Sequence, residues 1–201
     1  MLHTLLDPVS LIKYAGLFGV LAIVFAESGL FFGFFFPGDS LLFTAGFLAS
    51  QGLLSPTWLF IGLFVAAVAG DSVGYAFGRH TGTRIFSREK SFFFNKEYPA
   101  RAQHFYEKYG KKTIILARFI PIVRTFAPIV AGVGRMNYRT FLAYNIVGAA
   151  LWTGLLAGSG FVLGNTIPGA SHYITLIVLV IIVVSLIPPV YHFIKEKNKK
   201  I

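Results

Sequence analysis

Ala117-Arg118-Phe119-Ile120-Pro121-Ile122-Val123-Arg124-Thr125-Phe126-Ala127-Pro128 places two arginines and two prolines inside an otherwise apolar run. A charge near a bilayer centre costs about 2.5–3.5 kcal/mol even on the lenient insertion scale, and each proline removes a backbone donor. Such a segment does not face lipid. At membrane depth it requires burial in protein or a water-filled cavity, as in the broken helices of transporters.

The rest of the chain supplies the membrane. Hydrophobic residues make up 55 % and charged residues 13 % of the 201 positions, whereas a soluble domain carries about 25 % charged residues. A cleaved signal peptide is not expected. The start has a single base, Lys13, no small-residue cleavage site, and apolar sequence that runs past a typical h-region. With no cysteine, disulfides, thiolate metal sites and a cysteine nucleophile are excluded. The net charge of +10 is carried largely by loops between apolar segments, so orientation and anionic headgroups explain it better than nucleic acid.

Asp7-Pro8 reads as the start of a short interfacial helix. From Tyr14 to Gly78 there is no Lys or Arg, and the only charges are Glu27, Asp39 and Asp71. Two apolar arms, Tyr14 to Phe36 and Leu41 to Gln51, meet at Phe36-Pro37-Gly38-Asp39-Ser40, where Pro37 and Gly38 oppose a continuous helix. The second arm falls short of the ~20 residues a crossing helix needs, so a re-entrant hairpin is expected. Thr57 to Gly78 is long enough to span.

Residues 79–112 hold nine bases against three acids, the strongest cytoplasmic signal in the chain. Within them Tyr98, Ala102, Phe105 and Tyr109 are spaced for an amphipathic helix lying on the membrane. Thr113 to Gly134 is the second interrupted segment, with breaks expected at Pro121 and Pro128, and Tyr138 to Gly164 is a span. A plain transmembrane helix follows at about 172–194, ahead of Lys195, Lys197, Lys199 and Lys200. With both basic regions cytoplasmic, the count of spans closes only if Thr113 to Gly134 is re-entrant.

Gly46, Gly62, Gly74 and Gly78 recur at a constant offset of 86 as Gly132, Gly148, Gly160 and Gly164. The expected fold is therefore an all-α integral membrane protein: an inverted repeat of a re-entrant hairpin plus a transmembrane helix, and an additional C-terminal transmembrane helix. The repeats are about 14–78 and 113–164, separated by the basic loop 79–112, in one domain over 1–201. Two hairpin tips would meet near the midplane.

The first hairpin is acidic (Glu27, Asp39) and the second basic (Arg118, Arg124). Unpaired, these four charges would cost on the order of 10 kcal/mol, so they are expected to meet each other, water or a substrate. The break at Pro121 lets both arginines point at one site, and arginine suits bidentate recognition of phosphate. A plainer alternative makes the pairs only structural, holding the hairpins in register. Asp71 divides between site residue and packing neighbour. Arg135 and Arg139 are read as snorkelling to headgroups, and Asn145 and Trp152 as packing and interfacial residues. His3, His80, His104, His172 and His192 all fall at segment ends, which argues against a histidine metal site or proton relay. The glycines lack any phosphate-loop spacing and are read as helix-packing positions.

Glu27-Ser28, Phe36-Pro37-Gly38-Asp39, Ala45-Gly46, Gly70-Asp71 with Gly74-Tyr75 and Gly78-Arg79, Arg118-Phe119-Ile120-Pro121 with Arg124-Thr125, and Ala131-Gly132 together resemble the DedA family, which shares the VTT or SNARE-associated domain. The resemblance covers about residues 10–195. It implies facing re-entrant hairpins and lipid translocation: return of undecaprenyl phosphate across the cytoplasmic membrane, dependent on proton or sodium gradients, in bacterial members, and phospholipid scrambling in eukaryotic relatives. The family's functional acids and arginines correspond to Glu27, Asp39, Arg118 and Arg124.

The expectation is a multi-pass inner-membrane lipid-phosphate flippase, with loop 79–112 and the C-terminus cytoplasmic. Arg118 and Arg124 bind phosphate, Glu27 and Asp39 couple protons or sodium, and Asp71, Ser40 and Thr125 support them. No cofactor, metal or nucleic acid is expected; a homo-oligomer is compatible. The alternatives are a non-selective phospholipid scramblase, a membrane lipid phosphatase, for which no histidine accompanies the arginines, and a structural envelope-assembly factor.

Overall fold

The computed structural model describes residues 8–29, 38–85, 106, 110 and 112–167. The Phe36-Pro37 break, nearly all of the amphipathic helix expected within 79–112, and the C-terminal helix lie outside them. Every regular element among the described residues is helical: α1 (Pro8–Gly29), α2 (Gly38–Ser50), α3 (Pro56–Ile85), α4 (Thr113–Ala117), α5 (Pro121–Val133) and α6 (Tyr138–Thr166).

Helix lengths sort these elements. The apolar part of α3, Pro56–Thr81, and all of α6 are long and apolar enough to cross a membrane. α2 and α5 have 13 residues each, about 20 Å at 1.5 Å per residue against a hydrocarbon core of about 30 Å. Neither can cross alone.

Local chemistry sets the boundaries. α1 starts at Pro8 and is two helices merged across Gly16, whose φ of 60° is left-handed and suits glycine. Pro56 opens α3, and the Ser55 carbonyl accepts from Leu59 N at 2.9 Å. Proline disfavours helical geometry in the residue before it, and Ile120 is extended (φ −114°, ψ 109°), so α4 ends and α5 begins anew at Pro121. Pro128, expected as a further break, does not act as one. It lies inside α5, which continues to Val133. Proline is tolerated there because packed neighbours hold the backbone: a Cβ on Gly74 would lie 3.4 Å from the Pro128 ring.

The chain forms two compact units, one of residues 1–23, 36–63 and 153–201, the other of 24–35 and 64–152. In the first, α2 packs on the second half of α6 through glycines. A Cβ on Gly46 would strike the Ala157 carbonyl, one on Gly160 the Phe43 carbonyl, and Gln51 Nε2 donates to Gly164 O at 3.1 Å. Phe60 and Phe161 meet edge to face at 6.2 Å.

In the second unit α5 packs on the second half of α3 in the same manner. A Cβ on Gly78 would strike the Ile129 carbonyl, and one on Gly132 the Tyr75 carbonyl. The 86-residue repeat therefore has a packing counterpart: each 13-residue helix lies on the long helix of the other copy. A core of Tyr75, Tyr106, Ile114, Ala131 and Phe141 closes this unit, with Tyr75 stacked on Phe141 at 4.7 Å.

A buried cluster of two arginines and two carboxylates

The break before Pro121 brings Arg118 and Arg124 together. Arg118 caps the C-terminus of α4; Arg124 stands one turn inside α5, its N–H bonded to Ile120 O at 2.9 Å. Both guanidinium groups lie over the ring of Trp152, 5.7 Å (Arg118) and 4.7 Å (Arg124) from its centroid, within reach of the ring quadrupole.

Each arginine has its own carboxylate. Arg118 Nη2 donates to Asp71 Oδ2, and Arg124 Nη2 donates to Glu27 Oε1. Arg118 Nη2 also donates to Asn145 Oδ1 at 2.6 Å, while Asn145 Nδ2 donates to Val68 O at 3.1 Å. Glu27, Asp71, Arg118, Arg124, Asn145 and Trp152 are all at or below 7 % exposure. Four formal charges are thus buried in balance, which makes the cluster sensitive to loss of any one.

Glycines let the carriers approach. A Cβ on Gly29 would come within 2.6 Å of Gly70 O, and one on Gly70 within 2.6 Å of Phe25 O, so the end of α1 that carries Glu27 lies against α3 beside Asp71. On α6, Asn145, Gly148, Ala149 and Trp152 form one stripe. Gly148 leaves room for the Arg118 stem, whose Cδ lies 3.6 Å from where a Cβ would stand.

Of the residues singled out in the sequence, Glu27, Asp71, Arg118 and Arg124 are together, and buried Thr125 follows Arg124. Asp39 belongs to the first unit, partly buried in the first turn of α2, next to buried Ser40, whose carbonyl accepts from Thr44 Oγ1 at 2.7 Å. The partner of Arg118 is Asp71. Two residues differ from expectation. Asn145 bonds Arg118, and Trp152, expected at an interface, is 1 % exposed beneath both arginines. Their spacing, two helical turns along one small-residue stripe, was the available signal.

Among the described residues, two membrane-length helices, two 13-residue helices and a balanced buried charge cluster define a helical membrane protein with a polar heart. The VTT domain model matches residues 36–162, a range that takes in both arginines, Asp39, Asp71, Asn145 and Trp152 but not Glu27. The chain is 48 % identical over 178 residues to Protein DedA of Escherichia coli (88 % of this chain, 81 % of DedA). It is 42 % identical over 189 residues to an uncharacterized membrane protein of Mycobacterium leprae (91 % and 84 %), and 34 % identical over 149 residues to the inner membrane protein YqjA of Escherichia coli (74 % and 68 %). No solved structure matches. The chain belongs to the DedA family of membrane proteins.

Proposed function

We propose that this protein is an inner-membrane transporter that moves a lipid phosphate, undecaprenyl phosphate being the candidate, and that it is not an enzyme. The carrying observation is the convergence of Arg118 and Arg124 on the ring of Trp152, each neutralised by a carboxylate of its own. A phosphate that takes the guanidinium groups displaces Asp71 and Glu27, and a displaced carboxylate left without its counter-charge in a dry site takes up a proton. That exchange couples lipid movement to a proton gradient; Asp39 is the further acid proposed for this role. Here α2 and the α4–α5 pair act as re-entrant halves of an inverted repeat. Their 13-residue helices and shared glycine packing support this.

Reconstitution into liposomes with a defined lipid panel, with and without a pH gradient, tests the reading. Saturable transport of the polyprenyl phosphate, driven by the gradient and diminished in Asp39→Asn, is expected. Comparable movement of zwitterionic phospholipids, indifferent to the gradient, would establish a scramblase instead; phosphate release would establish a phosphatase.

A further inference from the structure

Arg118 has two different acceptors on one nitrogen: the charged Asp71 carboxylate and the neutral Asn145 amide. The amide is oriented from both ends, since its oxygen accepts from Arg118 while its nitrogen donates to the Val68 carbonyl. We propose that Asn145 is a positioning residue that keeps the Arg118 guanidinium over Trp152 when Asp71 gives way to an anion. This rests on the reading of the arginine pair as an anion seat and adds what holds one arm of it.

The chemistry follows from charge. A guanidinium held by a carboxylate alone must either stay clamped or lose its anchor when an incoming anion competes. A neutral acceptor does not compete for the anion's charge, so it keeps the nitrogen in place at little electrostatic cost. Gly148, one turn along α6, leaves the Arg118 stem the space to be held there. Nor is Asn145 needed to satisfy Val68, whose carbonyl also accepts from Ser72 Oγ at 2.8 Å. A contribution to anion affinity is therefore separable from one to folding.

The protein carries its own reporter. Of its two tryptophans, Trp58 is 65 % exposed and Trp152 is 1 % exposed beneath the arginines, so in Trp58→Phe the emission comes from Trp152 alone. The Trp58→Phe protein, in dodecyl maltoside micelles, is titrated with dodecyl phosphate. A saturable emission change is expected. Adding Asn145→Leu, which keeps the branched shape and removes both polar atoms, or the smaller Asn145→Ser should weaken binding roughly tenfold or more, with the thermal transition retained; Ile146→Ala, an exposed neighbour, should leave it within about twofold. If the parent responds but Asn145→Leu and Asn145→Ser bind within twofold of it, or lose binding only together with the thermal transition, the role of Asn145 is overturned and the anion seat stands. If the parent itself shows no response, the anion seat falls and the role of Asn145 with it.

Discussion

Arg124 and Glu27, 97 positions apart in the chain, form a buried ion pair that ties the end of α1 to the first turns of α5. Removing one member strands the other charge, at about 3–5 kcal/mol, whereas removing both costs less because no charge is left uncompensated. Glu27→Gln and Arg124→Gln should each lower the thermal midpoint markedly in detergent, and the double variant should recover part of the loss. Additive effects would show that the two side chains do not interact.

The glycine contacts make a sharper packing prediction. Alanine at Gly78 or Gly160 would drive a methyl into the Ile129 or Phe43 carbonyl, which are backbone atoms with little freedom to move. A loss of about 1–3 kcal/mol is expected for each. Gly154 meets nothing within 4 Å, and Gly154→Ala should be neutral or slightly stabilising. Denaturation midpoints of the three variants measure this directly.

Arg135 closes α5 where glycine is usual. Its φ is 52°, its N–H bonds Gly132 O at 3.0 Å, and Met136 N–H bonds Ala131 O at 3.0 Å, a Schellman closure. Left-handed geometry costs a side-chain-bearing residue roughly 1–2 kcal/mol, part of which the greater unfolded entropy of glycine offsets. Arg135→Gly should raise the melting midpoint by a few degrees; a fall would show that the guanidinium is held by contacts that stabilise the fold.

Tyr106 is buried against α5, its hydroxyl donating to Ala127 O at 2.9 Å. Burial pushes its ionisation above the ordinary range near 10. The folded protein thus holds the phenolic proton more tightly than the unfolded chain. The stability this contributes is complete below about pH 10 and is lost as pH rises beyond it. Tyr106→Phe should cost about 1 kcal/mol at neutral pH and flatten the alkaline decline expected in wild-type melting curves.

Much of this architecture can be read from the chain. Pro121 dictates the break, because the residue before a proline avoids helical geometry, and the break is what lets two arginines six positions apart share one ring. The glycine repeat anticipates which helices pack closely. The partner of Arg118 is harder to read, since Asp39 and Asp71 are both acids in a base-free stretch and only the crossing of helices selects Asp71. The general preference of tryptophan for membrane interfaces points the wrong way for Trp152, which stands midway along α6 and is buried where Arg118 and Arg124 arrive over it. Pro128 shows the reverse. A local rule that predicts a break yields where packed neighbours hold the helix.

The central claim is that Arg118 and Arg124 seat a lipid phosphate through their forked geometry and not through charge alone. It is tested most directly by the initial rate of undecaprenyl phosphate translocation in proteoliposomes under a fixed pH gradient, for wild type, Arg118→Lys and Arg124→Lys. Lysine keeps the charge and loses the fork, so each variant should fall roughly tenfold or more while retaining its thermal transition. Folded lysine variants that transport at the wild-type rate would contradict it.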